Sequence, residues 1–179
     1  MSQPVELIPL LCTRCQAPVP ANPDEVAWVC EQCGQGLLLS EEKGAVPLVI
    51  NFDKRIKQGA KGNPFWVADG QVSMQRLIYG GNDQGRRAQE YWSQPHRFFI
   101  PAFELPLDKM VDWGMHFLQN PPDLQAGPPA AFLPVTLLPA DARQMAEFIV
   151  MGVEAARPDK IREIKLSVNL NPPELWVIS

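Results

Sequence analysis

Apolar and polar residues alternate most regularly near the end of the chain. Ile164, Leu166, Val168 and Leu170 alternate there with Glu163, Lys165, Ser167 and Asn169. A period of two is typical of a β-strand that buries one face. Turn-forming residues follow at 171–174, and the apolar run 175–178 then predicts a returning strand. This part of the sequence therefore predicts a β-hairpin.

Two other stretches carry a helical period, and each follows the motif Leu-Pro-x-Asp. The motif occurs at residues 105–108 and again at 138–141, in both cases after an apolar, strand-like run. Proline suits the first helical position, and aspartate in the first turn faces the positive end of the helix dipole. The predicted apolar helix faces are Leu107, Met110, Val111, Gly114, Phe117 and Leu118, and then Ala142, Met145, Ile149, Gly152, Val153 and Ala156. We expect two strand–helix units, which either a duplication or shared capping chemistry explains.

The middle of the chain reads as strands and one short helix. Residues 45–52 form an apolar, β-rich run that predicts a strand. Asp69-Gly70 separates the β-rich segments 63–68 and 71–79, which predicts a hairpin with a type I′ turn. A short helix is expected around residues 86–91.

Composition and charge narrow the class of protein. The 179 residues are 46% hydrophobic and 20% charged, which is typical of a folded globular chain. The longest uncharged stretch, residues 124–140, contains four prolines, so it predicts no membrane span. The first residues lack the basic region of a secretory signal, and we expect a soluble cytoplasmic protein. Formal charge is banded: −4 over residues 1–44, +4 over 45–100 and −4 over 101–179.

Four cysteines lie within 22 residues, at positions 12, 15, 30 and 33. Each Cys-x2-Cys pair can direct both sulfurs to one centre, and two pairs complete a tetrahedron around zinc with Zn–S bonds of about 2.3 Å. Between the pairs, residues 22–24 predict a turn and 25–29 a strand. Gly34 follows the second pair, where a positive φ is often needed.

This stretch resembles a zinc ribbon over about residues 10–40. The resemblance implies that Cys12, Cys15, Cys30 and Cys33 ligate one structural Zn²⁺ and leave no open position for catalysis. Gln16 stands where many ribbons carry a glycine. Two disulfides and a rubredoxin-like iron site are the alternatives. The lack of an export signal disfavours the disulfides. Iron is disfavoured because only the second pair is followed by glycine.

The basic middle of the chain holds the candidate binding residues. They are Lys54, Arg55, Lys57, Lys61, Trp66, Arg86, Arg87 and Trp92. Cations interleaved with aromatic rings are typical of single-stranded nucleic-acid binding. The same residues could instead dock an acidic protein, including the acidic ribbon of a neighbouring copy. They could also be a solvated rim around core aromatics, which the sequence pI near 5.2 favours.

The sequence offers few candidate catalytic residues. His96 could act as an acid or base, or be a histidine of a surface turn. His116 follows Asp112 by one helical turn, either as an oriented pair or as a solvent-facing one. No triad order or phosphate-binding glycine loop is present. Whether the protein is an enzyme is uncertain, and the sequence leans against it.

The sequence therefore predicts an α+β protein: a zinc ribbon at 1–44, then an α+β domain at 45–179 with two strand–helix units and β-hairpins. The expected function is that of a non-enzymatic zinc-binding adaptor or assembly subunit that contacts another protein, without membrane insertion. Tryptophans are candidate interface anchors: Trp28, Trp66, Trp92, Trp113 and Trp176. The alternative is a nucleic-acid-associated factor that uses the basic residues of 54–97, and an enzyme using His96 is third.

Overall fold

The computed structural model describes residues 8–19, 21–78, 83–158 and 161–179. The strands are β1 (Ala27–Val29), β2 (Gly36–Ser40), β3 (Gly44–Pro47), β4 (Ile50–Phe52), β5 (Asn63–Ile78), β6 (His96–Pro101), β7 (Ile161–Leu170) and β8 (Glu174–Ile178). The helices are α1 (Asp83–Trp92), α2 (Leu107–Gln119) and α3 (Ala142–Ala155), with a 3₁₀ turn at Pro139–Asp141. Strands and helices together confirm the α+β class.

A small antiparallel sheet, in the order β1-β2-β3, begins between the two cysteine pairs, because β1 ends just before Cys30. The strand predicted at 25–29 is present as β1. The single strand predicted over 45–52 is wrong, because β3 pairs with β2 whereas β4 runs parallel to β8 in the other sheet. Pro47 has no N–H with which to continue the pairing, and the Leu48 N–H turns to the Gly36 carbonyl (2.8 Å). The division into domains at residue 44 stays a prediction.

The second sheet is built around β5, in the order β4-β8-β5-β6, with β7 also paired to β5. The predicted hairpin at Asp69-Gly70 is wrong, because β5 runs through both residues as one strand. Gly70 is the point at which β5 leaves β6 and begins to pair with β7. A Cβ on Gly70 would lie 2.6 Å from Leu170 Cδ2 and 3.2 Å from Phe98 Cε2. Glycine is therefore needed here for close packing and not for a turn. Residue 79 lies outside the described residues.

The predicted terminal hairpin is also wrong, although its alternating burial is confirmed from residue 163 to 170. Both β7 and β8 pair antiparallel with β5, one after the other along the same edge. Pro172 and Pro173 interrupt the ladder because neither can donate a backbone hydrogen bond. The Asn171 N–H still donates to the Asp69 carbonyl (2.9 Å) and keeps the register across the break.

The two expected strand–helix units have different outcomes. The first is confirmed as β6 followed by α2. The second has its helix, α3, but the run before it makes only isolated bridges, Phe132 to Gly62 and Val135 to Ala27. Prolines at 128, 129 and 134 prevent a continuous strand there. The residues of the predicted helix faces are buried or half-buried, except for Leu107 and Ala156, which are exposed.

Both faces of the second sheet are covered by apolar side chains. One face carries Trp66, Phe98, Ile100 and Leu175, against which Ala146, Ile149 and Val150 of α3 pack. The other carries Phe65, Val67, Phe99 and Ile178, against which Trp113 and Phe117 of α2 pack. The small sheet joins the first cluster through Val26 and Ala27, and the Val26 N–H donates to the Val135 carbonyl (2.8 Å). The two sheets are therefore packed together.

A buried ionic cluster links α1, β5 and α3. Glu154 is 1% exposed, and its Oε1 accepts hydrogen bonds from Trp92 Nε1 and Arg157 Nε, both at 2.7 Å. Its other oxygen lies 2.9 Å from Arg76 Nε. Two guanidinium groups thus surround one carboxylate, which is the arrangement that makes burial of a charge tolerable. Among the described residues, no helix has the length and apolar character needed to cross a lipid bilayer.

Candidate metal centre

Two short loops with the same hydrogen-bond pattern carry the four cysteines. In the first loop the Cys12 N–H donates to the Ala17 carbonyl (2.8 Å). In the second the Cys30 N–H donates to the Gln35 carbonyl (2.8 Å). Each bond closes a turn around its Cys-x2-Cys pair, so the backbone of each loop orients both sulfurs inward.

A residue with positive φ follows each cysteine pair. Gly34 has a φ of 71°, as the sequence predicts, and Gln16 occupies the equivalent position with a φ of 61°. The N–H of each donates to the carbonyl of the first cysteine in its pair, Gln16 to Cys12 and Gly34 to Cys30. The missing glycine therefore leaves the loop geometry intact, at the cost of a left-handed conformation that is unfavourable for a residue with a Cβ.

The four sulfurs lie within 4.8 Å of one another. Cys12 Sγ and Cys33 Sγ are 3.5 Å apart, and so are Cys15 Sγ and Cys30 Sγ. Tetrahedral coordination with bonds of about 2.3 Å places sulfurs about 3.8 Å apart. A disulfide would require about 2.05 Å, and all four cysteines are free. The cluster fits a single four-coordinate metal ion.

The electrostatics of the cluster favour a cation. Hydrogen bonding from the Cys15 backbone N–H lowers the pKa of the Cys12 thiol to about 6, despite its burial. For Cys15, the Ala17 backbone N–H lowers the pKa, but burial and the neighbouring sulfurs outweigh it and raise the pKa to about 12. Because the sulfurs lie so close together, one ionised thiolate disfavours the ionisation of a neighbouring thiol. A divalent cation between them removes this conflict.

Gln35 contacts the cluster from outside the four cysteines. Its Oε1 lies 3.6 Å from Cys12 Sγ, and its backbone carbonyl holds Cys30 as described above. The Cys12 thiol is the donor in this contact, so the hydrogen bond is made by the protonated thiol and is lost when Cys12 binds a metal as a thiolate. The sequence alone gives no signal for the contact, since Gln35 only becomes a neighbour of Cys12 when the two loops meet.

The chain matches no protein-family model, no curated protein and no solved structure. The zinc ribbon therefore remains a resemblance of the cysteine motif. The compact four-sulfur cluster is compatible with it.

The structure separates the candidate basic residues. Arg55 is held by Asp53, whose two oxygens accept hydrogen bonds from its Nε (2.7 Å) and from its terminal nitrogen (2.8 Å). The remaining candidates are exposed: Lys54, Lys57 and Lys61 on the loop after β4, and Arg86 and Arg87 on α1. They lie on two separate elements rather than in one continuous stretch.

Trp66 and Trp92 lie in the core, so the prediction that they are binding residues is wrong. They are 0% and 2% exposed, and their indole N–H groups donate internally, to the Leu137 carbonyl and to Glu154. Their large apolar rings gain more from the core than from the surface. As interface anchors, Trp28 is also buried, whereas Trp113 and Trp176 are half-buried.

The two histidines have local structural contacts. His96 Nε2 lies 2.8 Å from the Tyr91 carbonyl, and the imidazole packs against the rings of Tyr91 and Trp92. This places His96 at the C-terminal end of α1, where it satisfies a helix carbonyl. His116 and Asp112 are both exposed on α2, as the solvent-facing alternative predicts, and Asp112 lies 3.6 Å from Lys109 Nζ.

A groove beside the metal centre was not anticipated from the sequence. It has a volume of about 680 Å³ and runs between β1 and the proline-rich segment 129–134. Trp28 and Glu31 lie on one wall and Lys61 on the other. The Phe132 ring packs 6.0 Å from Phe52 along the second wall. The feature of the sequence that could have indicated this groove is the uncharged, proline-rich segment, which forms no helix or strand.

Proposed function

We propose that the protein is a non-enzymatic adaptor or assembly subunit whose N-terminal module is stapled by one structural Zn²⁺. The observation that carries the metal part is the close approach of the four sulfurs of Cys12, Cys15, Cys30 and Cys33, all within 4.8 Å of one another. Four thiolates satisfy zinc completely, and such sites contribute folding energy directly. With every position occupied by sulfur, zinc has no place for a substrate or an activated water.

The groove supports the part of the proposal that concerns protein contacts. Its walls are largely apolar, and Ala131 and Pro134 are exposed along it. Apolar surface that borders a groove is typical of a site for another protein segment. The metal holds β1, which forms one wall, so loss of the metal is expected to deform the groove.

Metal analysis tests the first half. Protein purified without a metal-affinity tag should contain one zinc per chain by elemental analysis, and a Cys15→Ser variant should contain far less. The matched control is Ser40→Ala, which changes one small side chain outside the cluster. Stoichiometric iron would replace zinc in the proposal, and protein with intact thiols and no metal would refute it.

Partner capture tests the second half. A Phe132→Asp variant places a charge in the groove, and Leu107→Asp is the matched control at an apolar residue that is 51% exposed on α2. One identified protein should be recovered with the wild-type chain and the control from nuclease-treated extract, and lost with Phe132→Asp. Equal recovery with all three would exclude the groove as the contact site.

The nucleic-acid alternative rests on the exposed cations of the loop after β4 and of α1. It predicts that nucleic acid co-purifies with the protein and that its affinity falls steeply with salt. Combined Arg86→Glu and Arg87→Glu substitutions should then weaken binding strongly. Unchanged binding would make these residues a solvated rim.

A further inference from the structure

The charged residues that line the groove differ in sign between its walls: Glu25 and Glu31 lie on the β1 wall, and Lys61 lies on the other. The segments that lead to the two walls have the same difference in sign. Residues 8–47, which include the metal module, have five acidic and two basic side chains, a formal charge of −3. A zinc ion with four thiolates adds about −2. Residues 53–61, which lead to the opposite wall, have four basic side chains and one acidic one, a formal charge of +3.

The charged groups on the walls are available to a partner. Glu31 and Lys61 are both exposed, and neither has an ion-pair or hydrogen-bond partner among the described residues. Glu25 differs, because its Oε2 already accepts hydrogen bonds from Trp28 Nε1 and the Asn22 N–H, both at 3.0 Å. Glu31 and Lys61 are therefore the charges that an occupant of the groove would meet.

We propose that the occupant is a second copy of this chain, related by a two-fold axis that runs parallel to the groove, between its two walls. A two-fold axis places the acidic wall of each copy against the basic wall of the other, so Glu31 faces Lys61 twice. It also brings the apolar wall of each copy, which carries Phe132, against the β1 wall of the other, which carries Trp28. A partner of a single charge sign would leave one wall opposed by like charge. This inference rests on the proposed function, since it names the partner of the same groove.

Charge reversal tests this arrangement in a way that a different partner cannot imitate. Wild-type protein should dimerise in sedimentation-velocity experiments, less tightly as salt is raised. Glu31→Lys and Lys61→Glu should each weaken dimerisation by about tenfold or more, because each sets like charges opposite twice. An equimolar mixture of the two variants should recover the dimer, since each variant then meets its complement at both contacts.

Matched controls keep the result specific. Glu42→Lys and Lys109→Glu make the same charge changes at exposed residues that do not line the groove, and both should dimerise like the wild-type chain. Circular dichroism and metal content should be unchanged in all four variants. A monomer at every concentration, a dimer insensitive to both reversals, or a mixture that fails to recover it would overturn the proposal.

The outcomes also separate this inference from the proposed function. A monomeric chain that loses one identified partner on Phe132→Asp refutes self-association and leaves the adaptor role intact. A monomeric chain whose capture of proteins is unaffected by Phe132→Asp refutes both.

Discussion

Replacing Glu154 by glutamine tests the buried ionic cluster. Glutamine keeps nearly the same shape and can still accept a hydrogen bond from Trp92, but it removes the charge between Arg76 and Arg157. These arginine side chains are only 6% and 19% exposed, so water cannot compensate for the lost carboxylate. Breaking a buried pair by removing one partner costs about 3–5 kcal/mol. We expect Glu154→Gln to lower the free energy of unfolding by about 4 kcal/mol.

Urea denaturation followed by tryptophan fluorescence, at saturating metal, measures this loss. With a slope of about 2 kcal/mol per molar urea, the midpoint should fall by about 2 M. Glu147→Gln is the matched control on the same helix, because Glu147 pairs with Arg143, whose side chain is 65% exposed. That change should cost less than about 0.5 kcal/mol.

If Glu154→Gln costs less than about 1 kcal/mol, the reasoning is refuted. If that variant does not fold, Trp92→Phe, which removes one donor, should still cost about 1–2 kcal/mol.

Three further predictions concern single side chains. The Arg55 guanidinium holds the pKa of Asp53 below its usual value, so the stability it contributes is present above about pH 4 and is lost as the pH falls further. The stability difference between the wild-type chain and Asp53→Asn should therefore shrink in acid denaturation series, and a constant difference would contradict this. Gly114→Ala should destabilise by about 1–3 kcal/mol in urea because the new methyl group overlaps Ile149, whereas an open helix surface would gain from alanine. Gly34→Ala should cost about 1 kcal/mol by thermal unfolding, from its positive φ alone, because nothing lies within 4 Å of the new atom; a neutral effect would contradict it.

The parts of the fold that the sequence predicts correctly depend on local physics. The four cysteines are close in sequence and their spacing alone restricts the geometry, so the cluster is found where expected. The α2 and α3 helices follow from the helical apolar period and from the Leu-Pro-x-Asp motif that precedes each. The alternating burial of β7 follows from its period of two in the same way.

The errors arise where tertiary contacts override a local signal. Asp69-Gly70 has the composition of a tight turn, but the approach of Leu170 and Phe98 makes Gly70 a packing residue within β5. The residues around Pro172 have the composition of a hairpin turn. In the structure they only interrupt the edge of β5 along which β7 and β8 pair one after the other. No local pattern distinguishes these cases, because the deciding atoms lie 28 and 100 residues away from residue 70.

The sequence wrongly predicts Trp66 and Trp92 as surface binding residues for a related reason. Aromatic residues beside cations are equally typical of a binding surface and of a core next to its rim. Burial decides between the two, and burial depends on which helix covers the strand. The sequence does not predict the groove, because its walls come from segments that are about 100 residues apart in the chain.

The hydrogen bond from Val26 to the Val135 carbonyl has a consequence for what happens when the metal is lost. Val135 is fully buried, and it lies a few residues before α3, whose side chains cover one face of the larger sheet. Chelation should therefore loosen more than a peripheral appendage, since the disturbance reaches the docking of that helix. Calorimetry of the stripped protein should record one broadened endotherm at lower temperature, and amides of α3 should exchange faster with deuterium.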